Sequence, residues 1–140
     1  MATDRPTHQA LIRRYSRQFD RYDYVYPSVA FAISAIETGW WNPRARIVQN
    51  HNLFALKIRR HHPWLSLWIR HDEQGYAVYE RDEDSMSDYK MYEGYVIRKY
   101  RLTNQQAYLD HICKRFCPAN KRYRAHLLWA MNQYKPDFGV

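Results

Sequence analysis

The chain has no hydrophobic run approaching the ~20 residues of a membrane span. Its opening residues, MATDRPTHQ, hold no apolar segment of the kind that marks a secretory signal. Cysteine is nearly absent: only Cys113 and Cys117 occur, four positions apart on an expected helix. That spacing puts both on one face, one turn apart, which is poor geometry for a disulfide. Reduced structural thiols are expected. His111 and His126 lie nearby, but the spacing matches no common zinc pattern, so no metal is expected. There is no internal repeat, no low-complexity segment, and neither a recognition helix nor an aromatic RNA motif. Sequence-specific nucleic-acid binding is therefore not expected.

What is present is one domain's worth of chain. At 140 residues it is long enough for a real core, and 46% hydrophobic residues argue against disorder. The formal net charge is +8, and the isoelectric point is about 9.6. This charge suits an anionic polymer, either a nucleic acid or a bacterial wall with acidic peptides and teichoic acids. Binding to DNA without sequence preference is expected of any protein this basic, so such binding carries no functional meaning. Aromatics make up 16%, with 13 Tyr and 5 Trp. Most must fill the core, and the remainder suit a groove that stacks sugar rings.

The stretch Pro27–Trp41 organises the rest. It reads as an amphipathic helix, with Pro27 at the first helical position and Gly39 as a left-handed terminator. Val29, Ile33, Ile36 and Trp40 share one face, and Glu37 sits at the edge of that stripe at the helix end. Partial burial and the negative end of the helix dipole both favour the protonated carboxyl. A carboxyl held protonated near neutral pH is what a general acid requires.

Glu37-Thr38-Gly39-Trp40 is similar to the Glu-Ser-Gly-Trp signature of the glucosaminidase family (glycoside hydrolase family seventy-three), which includes flagellar peptidoglycan hydrolases and many autolysins. Asn52-Leu53-Phe54-Ala55-Leu56-Lys57 resembles that family's Asn-Leu-Phe-Gly-hydrophobic-Lys, with Ala55 in place of the glycine. Tyr76-Ala77-Val78-Tyr79, followed by Asp84-Ser85 and Asp88-Tyr89, resembles its third block. The three occur in the family's order. The run Phe116 to Tyr123 is similar to the family's Tyr-Ala-Thr-Asp-Pro-x-Tyr segment without its Asp-Pro pair. The resemblance spans roughly Tyr26 to Tyr123 and implies a lysozyme-like fold. It also implies that Glu37 is the catalytic acid and that Tyr123 lies beside it.

Along the chain, a first helix is expected from Thr7 to about Tyr22, with Leu11, Ile12, Tyr15 and Phe19 inward and the arginines largely outward. Arg44–Asn50 reads as a loop or short helix, and Arg59-Arg60-His61-His62 as a basic patch. Trp64–Arg70 and Tyr76–Tyr79 predict a β-hairpin across the turn His71–Gly75. Acids at Arg81–Ser85 precede a helix from about Met86 to Tyr100. Thr103 to Gln106 reads as a capping box for a helix that runs to about Phe116 and ends at Pro118. Asn120 opens a last helix through Met131, before a frayed tail around 136–139.

The expectation is a single mainly α domain (α+β) over residues 1–140, lysozyme-like, with about five helices and one small hairpin. It would cleave the β-1,4 bond at N-acetylglucosamine in peptidoglycan, without a cofactor, as a monomer. Glycosidic cleavage needs a proton donor and a group that meets the charge developing at the anomeric carbon. Glu37 takes the first role. For the second, Glu73 or Asp72 at the hairpin tip, the substrate's acetamido group, and the muramyl 6-hydroxyl all remain open. The last would make a lytic transglycosylase. Trp40, Trp41, Asn52, Phe54 and Tyr79 are the expected substrate-binding residues. A wall hydrolase without a signal segment is expected to be a phage-type lysin, to use another export route, or to be a fragment. Ala55, the short hairpin and the missing Asp-Pro leave room for a non-catalytic wall-binding module, while the intact Glu37-Thr38-Gly39-Trp40 argues for an enzyme.

Overall fold

The computed structural model describes residues 7–61, 64–116 and 121–135. The expectations for His62, Cys117, Pro118, Asn120 and the tail at 136–139 lie outside these residues. Five long helices carry the fold: α1 (His8–Arg21), α2 (Pro27–Glu37), α5 (Asp82–Tyr100), α6 (Gln105–Phe116) and α7 (Lys121–Met131). Two single-turn helices, α3 (Arg46–Gln49) and α4 (Ile58–His61), precede the antiparallel pair β1 (Arg70–His71) and β2 (Ala77–Val78). The chain is mainly α with one small β element, consistent with the lysozyme-like class.

Thr7 caps α1, its hydroxyl accepting from Ala10 N at 3.0 Å. Ile12, Tyr15 and Phe19 face the core, while Arg13, Arg14, Arg17 and Arg21 are exposed.

α2 departs from the amphipathic expectation. Every residue from Val29 to Ala35 is buried, so the helix is apolar all round and runs through the interior. It packs against α1 and α7, and its small residues Ala30, Ala32, Ser34 and Ala35 let those neighbours close in. Each fully buried Val, Ile or Phe here contributes on the order of 1.5–3 kcal/mol. The entry to α2 is fixed from α5: the buried Glu93 carboxylate accepts from Val25 N at 2.8 Å and Tyr26 N at 3.1 Å. Burial pushes the Glu93 carboxyl up, and those two backbone bonds pull it part of the way back.

Two helix starts also differ from the sequence expectation. α5 begins at Asp82, so Asp82, Glu83 and Asp84 form its first turn rather than preceding it, where they complement the helix dipole. α6 is capped by Asn104, not Thr103: Asn104 Oδ1 accepts from Ala107 N at 2.9 Å.

The hairpin is shorter than expected. Only Arg70 pairs with Val78 and His71 with Ala77, and Leu65–Ile69 is irregular. That segment is held instead by the buried Asp88 carboxylate, which accepts from Ser66 N, Leu67 N and the Tyr79 hydroxyl. Among the described residues no helix is long and apolar enough to cross a membrane, and no group of three His, Cys, Asp or Glu could hold a metal ion. Cys113 packs against the core.

Candidate active site

Glu37 is the last residue of α2, where the interior helix reaches a surface cleft of about 340 Å³. Its chain exit is sharp. Gly39, Trp40 and Trp41 all have φ near +60°, a left-handed turn that only the glycine adopts without strain. Specific bonds hold the turn: Trp40 N donates to Ala35 O at 2.7 Å, and Trp41 N donates to Thr38 Oγ1 at 2.8 Å. Indole Nε1 of Trp41 then donates to Ser34 Oγ at 2.9 Å. The turn drives Trp41 back into the core and leaves Glu37 at the rim.

Tyr123, on α7, donates a 3.0 Å hydrogen bond to Glu37 Oε1. Burial pushes the Glu37 carboxyl above the ordinary glutamate range; the Tyr123 bond and the charges of Arg60 and Lys57 offset only part of that rise.

The opposite wall comes from the hairpin tip and α3. Asp72, Gln74 and Tyr76 share the cleft with Glu37, Arg46 and Ala55. Asp72 Oδ1 accepts from Gln74 N at 2.9 Å and Tyr76 N at 3.0 Å, and Oδ2 accepts from Asn50 Nδ2 at 3.0 Å. Its slight burial raises the carboxyl, but these bonds and the Arg46 charge outweigh it and leave the group below the ordinary aspartate range. One cleft therefore carries two carboxyl groups shifted in opposite directions.

The other expected site residues fall elsewhere. Glu73 is exposed and ion-paired with Arg46 in the neighbouring groove. Trp40 packs against His8, Phe31 and Trp129, toward α1 and α7. Trp41 stacks on Tyr15 in the core, and Phe54 stacks on Tyr89. Asn52 is fully buried, bonding Leu56 O and Ala77 O through Nδ2 and Leu56 N through Oδ1. Tyr79 is buried on Asp88. The expectation that Trp41, Asn52, Phe54 and Tyr79 line the cleft is corrected: they are buried and have almost no surface to offer a sugar. The second and third motif blocks are a hydrogen-bonded frame under the cleft. Ser85 belongs to it, its hydroxyl accepting from Leu53 N and donating to Asp82 O.

Sequence reasoning missed Arg46, Gln74 and Tyr76. Gly75, at φ +86°, marks a tight turn that carries Gln74 and Tyr76 to the same side as Asp72. Ala55 itself sits at φ +51°. That left-handed backbone supplies a physical reason for the glycine at this position in the motif it resembles.

Residues 13–136 match the family model of the glucosaminidases, described as mannosyl-glycoprotein endo-beta-N-acetylglucosaminidase. The chain belongs to the glucosaminidase family. At family level this supports glycoside hydrolysis, with peptidoglycan-type glycans as the substrate class. No curated protein and no solved structure shows a significant match.

Proposed function

We propose that this glucosaminidase-family domain hydrolyses β-1,4 bonds at N-acetylglucosamine in peptidoglycan, with Glu37 as proton donor and Asp72 as the second carboxylate. The observation that carries this reading is two carboxyl groups lining one cleft in contrasting settings: Glu37 half-buried with Tyr123 on Oε1, and Asp72 held by three hydrogen bonds. Groups set apart in this way divide into an acid and a base. Glu37, whose carboxyl burial biases toward the protonated form, gives its proton to the leaving glycosidic oxygen. Asp72, held ionised, meets the positive charge that develops at the anomeric carbon; water oxygen forms the new bond there as the bond to the leaving sugar breaks, and the proton that water releases restores the acid. Tyr123 orients the Glu37 carboxyl and stabilises the carboxylate left after proton transfer. The exposed, ion-paired Glu73 is set aside in favour of Asp72.

The test is digestion of purified peptidoglycan by the native chain and by Glu37→Gln, with products identified by mass spectrometry. Fragments with reducing N-acetylglucosamine ends are expected from the native chain. They should fall about 10²–10⁴-fold with the variant. Anhydro-muramyl ends would convert the assignment to a lytic transglycosylase. Wall binding without cleavage by either protein would leave a binding module.

A further inference from the structure

A second pocket, of about 540 Å³, opens where α4, α5 and α6 meet. Arg60, Lys99 and Arg115 line it, and among the described residues no acid does. Among the described residues none of the three is ion-paired. Arg60 donates to Arg115 O at 2.8 Å, and Arg115 donates to the Tyr100 hydroxyl. Lys99 Nζ lies 5.8 Å from the centre of the Tyr95 ring and 5.4 Å from that of Tyr100. The apolar wall is Trp64 stacked on Tyr95, with Val96 beside them. His111 also lines the pocket; its Nε2 is shielded from solvent and has no hydrogen-bond partner among the described residues.

Three cations without an ion pair among the described residues, set around an aromatic wall, make a receptor for an oxyanion carried on a partly apolar body. Guanidinium groups bind carboxylates with two parallel hydrogen bonds. The short segment from Ala55 to Arg60 joins the two sites: Ala55 lines the Glu37 cleft and Arg60 lines this pocket. A ligand here therefore lies beside the cleft wall, which points to a substituent of the glycan being cut.

We propose that this pocket is a subsite for the carboxylates of the short acidic peptides carried by the glycan strand. The proposal rests on the peptidoglycan reading above. Aromatic and aliphatic walls suit the methyl and methylene groups of a peptide, which a bare phosphate lacks.

The test separates the two readings. The soluble acidic peptide released from peptidoglycan is titrated into the full chain, following the Trp64 indole and His111 ring signals by NMR. Saturable shifts are expected. Lys99→Gln and Arg115→Gln should each weaken binding by about tenfold, and so should amidation of the peptide carboxylates. Arg115→Lys, which keeps the charge, controls for misfolding. In parallel, the ratio of kcat/KM on peptide-bearing over peptide-stripped strands should fall by about tenfold in Lys99→Gln, chiefly through KM. The proposal is overturned if the two reporter signals do not move, if Lys99→Gln binds as well as native, or if inorganic phosphate binds more tightly than the peptide. If neither strand is cut, the hydrolase assignment falls, and the peptide titration alone judges the subsite.

Discussion

The hydroxyl of Tyr123 reaches Oε1 of Glu37 at 3.0 Å across 86 positions of sequence. This bond favours the ionised carboxylate, against the larger effect of burial. Tyr123→Phe removes it at little cost in volume. The Glu37 carboxyl should then hold its proton to higher pH, so the basic limb of the pH–rate profile moves upward. The maximal rate should fall by roughly tenfold as the acid loses its orientation. A profile that keeps its limb but loses rate would mean that Tyr123 acts on the substrate and not through Glu37.

Asp72 and Glu73 are adjacent in sequence yet differ in setting. Asp72 is fixed by three hydrogen bonds in the cleft, whereas Glu73 holds a surface ion pair with Arg46. Asp72→Asn should lower kcat by about 10²–10⁴-fold. Glu73→Gln should change stability by no more than about 1 kcal/mol and leave the rate within a few-fold. Both are read by release of reducing ends from one peptidoglycan preparation. A reversed ranking would move the second carboxylate to Glu73.

Ala55 lies on the cleft wall with φ +51°. A Cβ in this conformation costs roughly 1–2 kcal/mol, and glycine returns about 0.4–1 kcal/mol of that through a looser unfolded chain. Ala55→Gly should therefore raise the urea midpoint by the equivalent of up to about 1 kcal/mol. Ala55→Val should lower it by more than that, because branching at Cβ worsens the strain. A destabilised glycine variant would show that the Ala55 methyl contributes packing that outweighs its backbone strain.

Much of this molecule was legible from local signals. Pro27 and Gly39 mark helix ends through chemistry that acts within a few residues, and both stand where that chemistry puts them. Glu37 and Tyr123 were paired by the family resemblance, not by anything local. The failures share a cause. Asn52 and Tyr79 look like polar and aromatic groups suited to a sugar, but their partners are Ala77 O and Asp88, at distances in space that a linear pattern does not carry. Trp41 follows the acid by four positions, and only the left-handed turn sends it inward. The extent of burial around α2 is likewise set by α1 and α7 together, which its own spacing does not record.

His61, expected in an exposed basic patch, is instead 1% exposed, beneath Tyr92 and Phe116. Its Nδ1 accepts from Lys57 N at 2.8 Å. Burial, assisted by the charges of Arg60, Arg115 and Lys57, lowers its pKa to about 4, against an ordinary value of 6.5. Well above pH 6.5 the ring is neutral whether the chain is folded or not. Between 6.5 and 4 the unfolded chain takes a proton that the folded chain refuses, so stability falls as the pH falls. The loss should reach roughly 2–4 kcal/mol by the lower end of that window. Glu37 and Glu93, whose carboxyls are raised, act in the opposite sense as they take up protons, so the native curve alone mixes both effects. His61→Asn keeps an acceptor near Lys57 N and removes the titration. Urea unfolding of both proteins at pH 7.5 and pH 4.5 isolates the histidine: the native chain should lose more stability across that interval than the variant. Equal losses would place the acid sensitivity of this fold elsewhere.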